Sequence, residues 1–309
     1  MASVAVVGAG AIGGVLAALA ADRGHEVTVC VRTPFDVLTV TTDGVERTVP
    51  VTVATDPAGV APADWVLLAT KAQDTASAAG WLRALTDPGE TPRSGARRVG
   101  GSVVVVAQNG IDHAARVEGL VDPAATVLPA SVRLGAEAVA PGRIVHHSFA
   151  QLTVPAGDAA RGLADLYADS GLAVVAVDDF TTVLWRKLLS NAVANPITAL
   201  TGRRNAVLAE PATRALVVDL AREVTAVGRS VGAALTDEDV DGLVALYDGM
   251  VPDLGTSMLY DRLAGRPLEH EYLTGAVVAT GRRTGVPTPL NGAVLALLRG
   301  VRGPNEQVT

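Results

Sequence analysis

The sequence has little of what marks secreted or membrane proteins. Cys30 is its single cysteine, so an intrachain disulfide and a cysteine metal cluster are both excluded. Aromatic residues make up only 3% of the 309 residues, and no apolar run reaches the length of a membrane-spanning helix. Apolar residues nevertheless reach 49%, which is typical of a globular core built from small aliphatic side chains. Cys30 ends a predicted buried strand, and we interpret it as a core residue and not as a catalytic thiol.

Basic residues are also scarce, and their distribution excludes several partners. The net charge is −7 and no arginine- or lysine-rich stripe is present, so neither nucleic acid nor an anionic membrane is an expected partner. The apolar N-terminus has no basic segment before it, which argues against a signal peptide and for a soluble, cytoplasmic protein. The five histidines show no metal-ligand spacing, so no metal is predicted. The oligomeric state is left open, a homodimer included.

The order of the predicted elements indicates two domains, as the length does. Residues 3–8, 11–23 and 26–31 read as strand, helix and strand, the opening of a parallel βαβ unit. Further predictions for this half are a hairpin over 38–54, buried strands at 65–69 and 102–107, an exposed loop at 86–100, and a β-rich stretch over 126–154 with a turn at 140–142.

Helical periodicity replaces the strand pattern near Asp178 and continues to the end of the sequence. We therefore predict an α/β N-terminal domain over residues 1–177, with a doubly wound parallel sheet of the Rossmann type. An all-α domain is predicted over residues 178–309. Neither internal repeats nor low-complexity segments interrupt this organisation.

A glycine-rich turn carries the first functional signal. The segment Gly8-Ala9-Gly10-Ala11-Ile12-Gly13 fits G-x-G-x-x-G, and it lies between a predicted strand and a predicted helix. In that context the glycines permit a tight turn, a close approach of a pyrophosphate and close helix–strand packing. The helix N-terminus then holds the pyrophosphate. The alternative, a glycine-rich turn without a ligand, is the weaker interpretation.

The end of the second strand indicates which dinucleotide is bound. An acidic residue there would bind the ribose 2′-hydroxyl of NAD. This sequence has Arg32 about where that acid is expected, and a guanidinium can hold the 2′-phosphate of NADP in bidentate geometry. The sequence therefore predicts NADPH as the cofactor, although a solvated surface arginine is the alternative.

Lysine is almost absent, since Lys71 and Lys187 are the only two lysines among 25 basic residues. Lys187, Asn191 and Asn195 are spaced i, i+4 and i+8 in an otherwise apolar helix, which we call the polar stripe. A buried polar stripe needs partners, and a cleft for a polar ligand would supply them. Pro196 is expected to kink this helix and free a carbonyl group. The alternative is a structural network.

Two further polar positions follow predicted strands. Lys71 comes after the strand at 65–69, where it is expected to open the next helix, and Asn109-Gly110 follows the strand at 102–107. Open α/β sheets bind their ligands at the carboxyl ends of parallel strands. Both positions are therefore candidates for the cofactor site, although each also suits an ordinary loop.

Together these segments resemble the 2-dehydropantoate 2-reductase (ketopantoate reductase) family over nearly the full length. The segments that carry the resemblance are GAGAIGG at 8–14, VCVR ending at Arg32, TKAQD around Lys71, QNG at 108–110, WRKLLSNAVANPITAL at 185–200, Asn205, SMLYD at 257–261, Glu269, Gly275 and VPTP at 286–289. The run at 185–200 is the most specific of them.

The resemblance implies a Rossmann domain followed by a helical domain like that of 6-phosphogluconate dehydrogenase. It implies hydride transfer from NADPH to the C2 carbonyl of ketopantoate, giving pantoate for coenzyme A synthesis. Lys187 would be the catalytic lysine and Glu269 its partner carboxylate. The implied substrate-binding residues are Asn109, Asn191, Asn195, Asn205 and Ser257. The implied cofactor-binding residues are Gly8, Ala9, Gly10, Ala11, Ile12, Gly13, Arg32, Lys71 and Asn109.

Two departures from the family pattern keep other functions open. The family commonly has Thr-Glu-Ile-Asp where this sequence has Leu268-Glu269-His270-Glu271, and Thr274 stands where an asparagine is frequent. One alternative is therefore a paralogous reductase or dehydrogenase of another 2-oxo or hydroxy acid. The second alternative is a non-catalytic NADP-binding regulator, since a fold does not dictate an activity.

Overall fold

A computed structural model describes residues 1–87 and 101–301. It begins with strand β1 (Ser3–Val7), helix α1 (Ala11–Asp22) and strand β2 (Glu26–Cys30), and the two strands pair in parallel. β1 is a run of aliphatic residues that is buried almost throughout, as expected for a strand in a sheet covered on both faces. The predicted βαβ opening is confirmed.

The predicted hairpin is also confirmed, with one difference. Strands β3 (Leu38–Thr42) and β4 (Val45–Val49) pair antiparallel around Asp43-Gly44, whose φ angles are 50° and 78°. Positive φ at both central residues is the conformation that tight hairpin turns require. The last part of the predicted segment instead forms β5 (Thr52–Ala54), which pairs in parallel with β2.

A six-stranded parallel sheet organises this part of the chain. It is completed by β6 (Trp65–Leu68), β7 (Val103–Val106) and β8 (Thr126–Pro129), and its strand order is β5-β2-β1-β6-β7-β8. Helices α2 (Ala79–Thr86) and α3 (His113–Val117) lie in the connections. The order runs outward from β1 in both directions, which confirms the doubly wound sheet. Ligands of such sheets bind at the carboxyl ends of the central strands.

A second sheet, which the sequence did not reveal as separate, forms from the hairpin and the predicted β-rich stretch. Strands β9 (Ser131–Ala140) and β10 (Arg143–Pro155) turn at residues 140–142, where a turn was predicted. Helix α4 (Asp158–Leu166) then leads to β11 (Ala173–Val177). The strand order is β11-β10-β3-β4, and β9 additionally pairs with β10 in antiparallel orientation.

Helix α1 contacts both sheets, and this explains its composition. Its residues are almost all alanine, glycine, valine and leucine, and most of them are buried. It contacts β1 and β2 of the first sheet and β3, β9 and β10 of the second. A Cβ at Gly14 would lie 2.5 Å from Cγ1 of Ile144, so only glycine permits this approach. The contact with two sheets fixes the glycine-rich turn at the start of the helix.

The remaining described chain is helical, as predicted. Its helices are α5 (Phe180–Thr201), α6 (Ala206–Ala209), α7 (Pro211–Ser230), α8 (Asp237–Asp248), α9 (Ser257–Leu263), α10 (Thr274–Thr284) and α11 (Pro289–Arg299). Apolar side chains of α5, α7 and α10 form one core, which includes Leu188, Val193, Leu220 and Val277. No strand occurs among described residues 181–301.

The chain divides into two compact units. The N-terminal unit contains Met1–Gln108 and Asp112–Phe180, and the C-terminal unit contains Asn109–Ile111 and Thr181–Thr309. Most of the loop predicted at 86–100 lies outside the described residues, and Thr86 itself ends α2 and is buried. Among the described residues, none of the helices combines the length and apolarity needed to cross a bilayer.

Candidate active site

The turn between β1 and α1 has the geometry of a dinucleotide-binding loop. Gly8 has a φ of 95°, which side-chain-bearing residues rarely adopt, and a Cβ there would lie 2.9 Å from the backbone nitrogen of Thr70. A Cβ at Gly13 would lie 1.9 Å from the carbonyl oxygen of Gly8. Gly10 differs, because no atom of the described residues lies within 4 Å of the position that its Cβ would occupy. The residues between the glycines are only partly buried, at Ala9, Ala11 and Ile12.

This turn fits a bound pyrophosphate. The first glycine makes the turn, the third allows close contact of strand and helix, and Gly10 leaves open space where a ligand would approach. No side chain caps the first turn of α1, so its N–H groups are available to an anion.

Arg32 lies two residues beyond β2, and 79% of its side chain is exposed. Its guanidinium is 4.0 Å from the carboxylate of Asp74. β2 itself ends at Cys30 and not at an acid. Cys30 is buried, and burial raises the pKa of its thiol to about 12, which agrees with the predicted core role. An exposed guanidinium beyond a strand that ends without an acid suits the 2′-phosphate of NADP.

Lys71 follows β6, but it does not open an α-helix as predicted. It precedes a 3₁₀ turn over Ala72–Asp74, a second 3₁₀ turn follows, and α2 begins only at Ala79. The hydroxyl of Thr75 donates to the carbonyl oxygen of Ala72 at 2.9 Å, a local bond that competes with a regular helix. Lys71 therefore lies in a loop at the carboxyl end of β6.

Gln108 is a buried polar residue whose role the sequence motif QNG at 108–110 did not indicate. It is 4% exposed, and its side-chain nitrogen donates to the carbonyl oxygen of Thr70 at 3.1 Å and to the Thr70 hydroxyl at 2.9 Å. Its side-chain oxygen accepts a hydrogen bond from Arg116 at 3.0 Å. Gln108 thereby ties the loop that contains Lys71 to the end of β7. A glutamine at the buried end of a strand was the available signal.

The polar stripe lies on α5, with Lys187 and Asn191 partly buried and Asn195 only 2% exposed. Burial lowers the pKa of the Lys187 ammonium to about 8, while the nearby carboxylate of Glu269 acts in the opposite direction. Lys187 can therefore exchange a proton near neutral pH. Pro196 lies inside the helix, as the sequence indicated.

Glu269 is the carboxylate whose charge acts on Lys187. It is 4% exposed, and its Oε2 accepts a hydrogen bond from the side chain of Asn109 at 3.0 Å. The structure thus brings together three of the predicted site residues. Glu271, two residues later, is partly exposed and is held instead by Arg299, with N–O distances of 2.6 and 2.8 Å. That pairing keeps the pKa of the Glu271 carboxyl below its usual value.

Asn205 and Ser257 are connected through the segment before α9. The backbone nitrogen of Asn205 donates to the carbonyl oxygen of Leu254 at 2.8 Å. The buried side chain of Asn205 donates to the carbonyl oxygen of Val251 at 3.4 Å. Ser257 is the exposed first residue of α9. In this conformation Asn205 holds the segment that leads to Ser257.

Two threonines tie that segment to the polar stripe. Thr256 caps α9 by accepting from the backbone N–H of Leu259, and its hydroxyl lies 2.7 Å from the hydroxyl of Thr198 on α5. Thr198 is three residues beyond Asn195 on α5, and Ser257 directly follows Thr256. The first residue of α9 therefore lies near the helix that carries the polar stripe. Within the described residues no group of three or more histidine, cysteine or acidic side chains could hold a metal ion.

A parallel sheet with a dinucleotide-binding turn, and a helical unit in which a buried glutamate acts electrostatically on a lysine, define an oxidoreductase of the Rossmann class. More particularly, the chain belongs to the ketopantoate reductase PanE/ApbA family. Residues 4–159 match the family described as Ketopantoate reductase PanE/ApbA, and residues 179–302 match Ketopantoate reductase PanE/ApbA C terminal. The resemblance stated from the sequence motifs is confirmed.

Individual relatives are similar in sequence or structure to this chain over nearly its full length. The 2-dehydropantoate 2-reductase of Caulobacter vibrioides is 38% identical over 300 residues, which cover 96% of this chain and 98% of the relative. The 2-dehydropantoate 2-reductase of Mycobacterium tuberculosis is 37% identical over 297 residues, which cover 96% of this chain and 96% of the relative. The structure of dimeric ketopantoate reductase from Staphylococcus aureus superposes with a TM-score of 0.83 at 25% identity, covering 96% of this chain and 98% of that one.

Proposed function

We propose that this protein reduces 2-dehydropantoate (ketopantoate) to pantoate with NADPH. The observation that carries the proposal is Lys187, whose pKa burial lowers to about 8 and on which the carboxylate of the buried Glu269 acts electrostatically. A ketone that accepts a hydride needs a proton or a positive charge at its oxygen, and a lysine with this pKa can supply the proton. NADPH supplies the hydride, so the products are the 2-hydroxy acid and NADP⁺.

The proposal divides the binding tasks between two predicted domains. Residues 1–177 bind NADPH: the turn at Gly8–Gly13 holds the pyrophosphate, Arg32 the 2′-phosphate, and Lys71 a further part of the cofactor. Residues 178–309 bind the oxo acid, together with Asn109. This division is supported by the open space at Gly10 and by the exposure of Arg32.

The substrate is held by neutral donors as well as by Lys187. Asn191 and Asn195 share one face of α5 with Lys187, and Asn109 is oriented by its bond to Glu269. Amide and hydroxyl donors suit a carboxylate next to the reacting ketone. The negative charge of Glu269 favours the protonated form of Lys187 until its proton is transferred. Asn205 and Ser257 complete the proposed substrate-binding set.

The assembly and location of the protein belong to the same proposal. The Staphylococcus aureus relative is described as dimeric, and we propose a homodimer for this chain too. Light scattering of the purified protein distinguishes dimer from monomer. A cytoplasmic location fits an enzyme that uses NADPH and carries a single buried cysteine.

The decisive experiment measures NADPH oxidation by the purified protein with ketopantoate and a set of comparison compounds. The set contains other 2-oxo acids, a β-keto acid and a simple ketone that lacks a carboxylate. We expect ketopantoate to have the highest kcat/KM and the simple ketone the lowest. A higher kcat/KM for another oxo acid would replace ketopantoate as the substrate. NADPH binding without turnover of any compound would support the non-catalytic regulator instead.

A further inference from the structure

A chain of hydrogen bonds joins the start of α9 to the main chain of α5, and both helices belong to the C-terminal unit. The backbone N–H of Leu259 donates to the hydroxyl of Thr256 at 3.3 Å. The hydroxyls of Thr256 and Thr198 lie 2.7 Å apart. The Thr198 hydroxyl lies 2.8 Å from the carbonyl oxygen of Ala194 and 3.2 Å from that of Asn195. Thr198 is fully buried, so protein groups and not bulk water satisfy its hydroxyl.

The main-chain groups at its two ends give this chain of bonds one direction. A carbonyl oxygen can only accept a hydrogen bond, so the single proton of the Thr198 hydroxyl points to the main chain of α5. The Thr198 oxygen is then an acceptor, and Thr256 donates to it. Thr256 can do so because its own oxygen accepts from the N–H of Leu259. Each hydroxyl therefore donates once and accepts once, and neither can rotate without losing a bond.

Arg262 attaches the other end of α9 to the same helix. Its guanidinium donates to the carbonyl oxygens of Ala199 and Leu200, the second at 3.0 Å. Both carbonyl groups lie in the last turn of α5, where carbonyls have no helical partner and positive charge is favoured. Helix α9 has seven residues and is thus attached to α5 near both of its ends.

Two of the proposed substrate-binding residues are the chain neighbours of groups in this link. Ser257 directly follows Thr256 and is exposed, so it is accessible to a ligand. Asn195 directly follows Ala194 on α5. Since a misplacement of about 1 Å can cost up to ~100-fold in activity, the link between these two positions matters for a substrate that both of them bind.

We propose that Thr198 is a positioning residue for substrate binding, which fixes Ser257 relative to Asn195 through the hydroxyl of Thr256. The proposal rests on the proposed function in one respect, namely that Ser257 and Asn195 bind the oxo acid. Thr198 itself is fully buried and engaged by protein groups, so it acts through α9 and not by contact with the substrate.

The variant Thr198→Val tests this, because it removes the hydroxyl and keeps the branched shape of the side chain. The carbonyl oxygen of Ala194 can still accept from the backbone N–H four residues later, so we expect the melting temperature to fall by only about 2–4 °C. The KM for ketopantoate should rise on the order of 10-fold, with a smaller change in kcat and an unchanged Kd for NADPH. Thr198→Ser keeps the hydroxyl and should keep the KM close to the wild-type value.

Thr284→Val is the matched control. The hydroxyl of Thr284 on α10 donates to the carbonyl oxygen of Thr280, four residues earlier, at 3.1 Å, and accepts from the hydroxyl of Ser230 on α7 at 2.9 Å. It links two helices as Thr198 does, but neither helix carries a proposed substrate-binding residue. We expect a similar fall in melting temperature and an unchanged KM for ketopantoate. If both valine variants, or neither, change this KM, Thr198 has no special positioning role.

A double variant tests whether Thr198 acts through Ser257. Ser257→Ala removes the proposed donor, so we expect it to raise the KM for ketopantoate about as much as Thr198→Val does. The effects of two residues that act through one contact are not additive. Adding Thr198→Val to Ser257→Ala should therefore raise the KM no further. A KM that rises by the product of the two single effects would overturn the proposal.

Crystal structures of the wild type, Thr198→Val and Thr198→Ser make the test independent of turnover. The distance from Oγ of Ser257 to Cγ of Asn195 should change in Thr198→Val and keep its wild-type value in Thr198→Ser. The same distance in all three proteins would overturn the proposal. If the wild type does not reduce ketopantoate, the proposed function fails, and this distance alone decides whether Thr198 positions Ser257.

Discussion

Lys187 differs from the other cations of this chain in both its chemistry and its surroundings. It is one of two lysines among 25 basic residues, and burial lowers its pKa to about 8. As the proposed proton donor, Lys187 must be protonated to act. We therefore expect kcat to be constant at low pH, to fall as the pH rises through about 8, and to decrease about tenfold per unit beyond that. The measurement is kcat at saturating ketopantoate and NADPH across this range.

Lys187→Arg separates the proton from the charge. Arginine keeps the charge, but its pKa lies above ~12, so it cannot donate readily. We expect this variant to lose on the order of 10²-fold in kcat, as Lys187→Ala would. A variant that keeps most of the wild-type rate, with a flat pH profile, would mean that Lys187 acts as an electrostatic anchor.

Glu269 and Glu271 form a matched pair of carboxylates with different surroundings. Glu269 is buried and raises the pKa of Lys187, whereas Glu271 is bound by Arg299 at the surface. Glu269→Gln keeps the shape and removes the charge, so the pKa of Lys187 should fall further. We expect the descending limb of the kcat profile to move to lower pH and kcat/KM to drop. Glu271→Gln should leave the profile in place; the opposite outcome would transfer the role to Glu271.

Arg32 is the residue for which cofactor choice can be tested directly. Its guanidinium lies 4.0 Å from the carboxylate of Asp74, and 79% of the side chain is exposed, so it is accessible to a 2′-phosphate. We expect Arg32→Ala to raise the Kd for NADPH by about tenfold or more and to leave the Kd for NADH nearly unchanged. Arg161→Ala, which removes an exposed arginine of α4, should change neither. Equal losses for both cofactors would show that Arg32 does not recognise the phosphate.

At the scale of single elements, the sequence predicted best where the signal is local. The turn at Asp43-Gly44 needs residues that tolerate positive φ, and the glycine-rich turn needs glycine at Gly8 and Gly13. The stripe on α5 follows from helical spacing alone. In each case the residues that determine the conformation lie within a few positions of one another, so one sequence is enough to recognise them.

The elements that the sequence missed depend on distant contacts. The second sheet pairs β3 with β10, which are about a hundred residues apart, and neither strand carries a mark of that partner. The bonds of Gln108 to Thr70 and of Tyr247 to Ser190 span 38 and 57 residues. Polar side chains in such bonds look like ordinary loop or core residues until the fold brings them together.

The stability of helix α11 depends on a residue of another helix. Its N-terminus is capped by Glu223 of α7, whose carboxylate accepts hydrogen bonds from the backbone of Leu290 and Asn291, both at 2.9 Å. Bonds to a charged acceptor at a helix N-terminus stabilise by roughly 1.5–3 kcal/mol. Glu223→Ala should lower the free energy of unfolding by about that amount in urea titrations. Glu238→Ala, at an exposed position of α8, should change it by less than ~0.5 kcal/mol.

For the whole molecule, the sequence predicted the two kinds of architecture because the periodicity of the apolar residues changes near Asp178. The described residues change from strands and helices to helices alone at the same part of the chain, where α5 begins. The net charge of −7 offers an anionic acid no general attraction. Recognition of such a substrate would therefore depend on a few local donors. A search of the sequence pattern can find such donors only when they share one element, as the proposed donors of α5 do.

Variants in the two units should separate the binding of NADPH from the chemical step. Gly10→Ala adds a methyl group at a position that has no described protein atom within 4 Å, so the fold should tolerate it. The methyl group would, however, occupy the space through which a pyrophosphate would approach. We expect an unchanged melting temperature and a Kd for NADPH at least about tenfold higher by fluorescence titration. Gly242→Ala, equally open but on α8, should keep the wild-type Kd.

Lys187→Ala completes this comparison from the other unit. Because Lys187 lies on α5 and the glycine-rich turn lies in the N-terminal unit, we expect this variant to bind NADPH with the wild-type Kd while losing turnover. Two variants with opposite defects, one in affinity for NADPH and one in kcat, are the signature of a molecule that assigns the two tasks to different units. If Lys187→Ala loses NADPH affinity as strongly as Gly10→Ala does, the assignment of Lys187 to the chemical step is wrong.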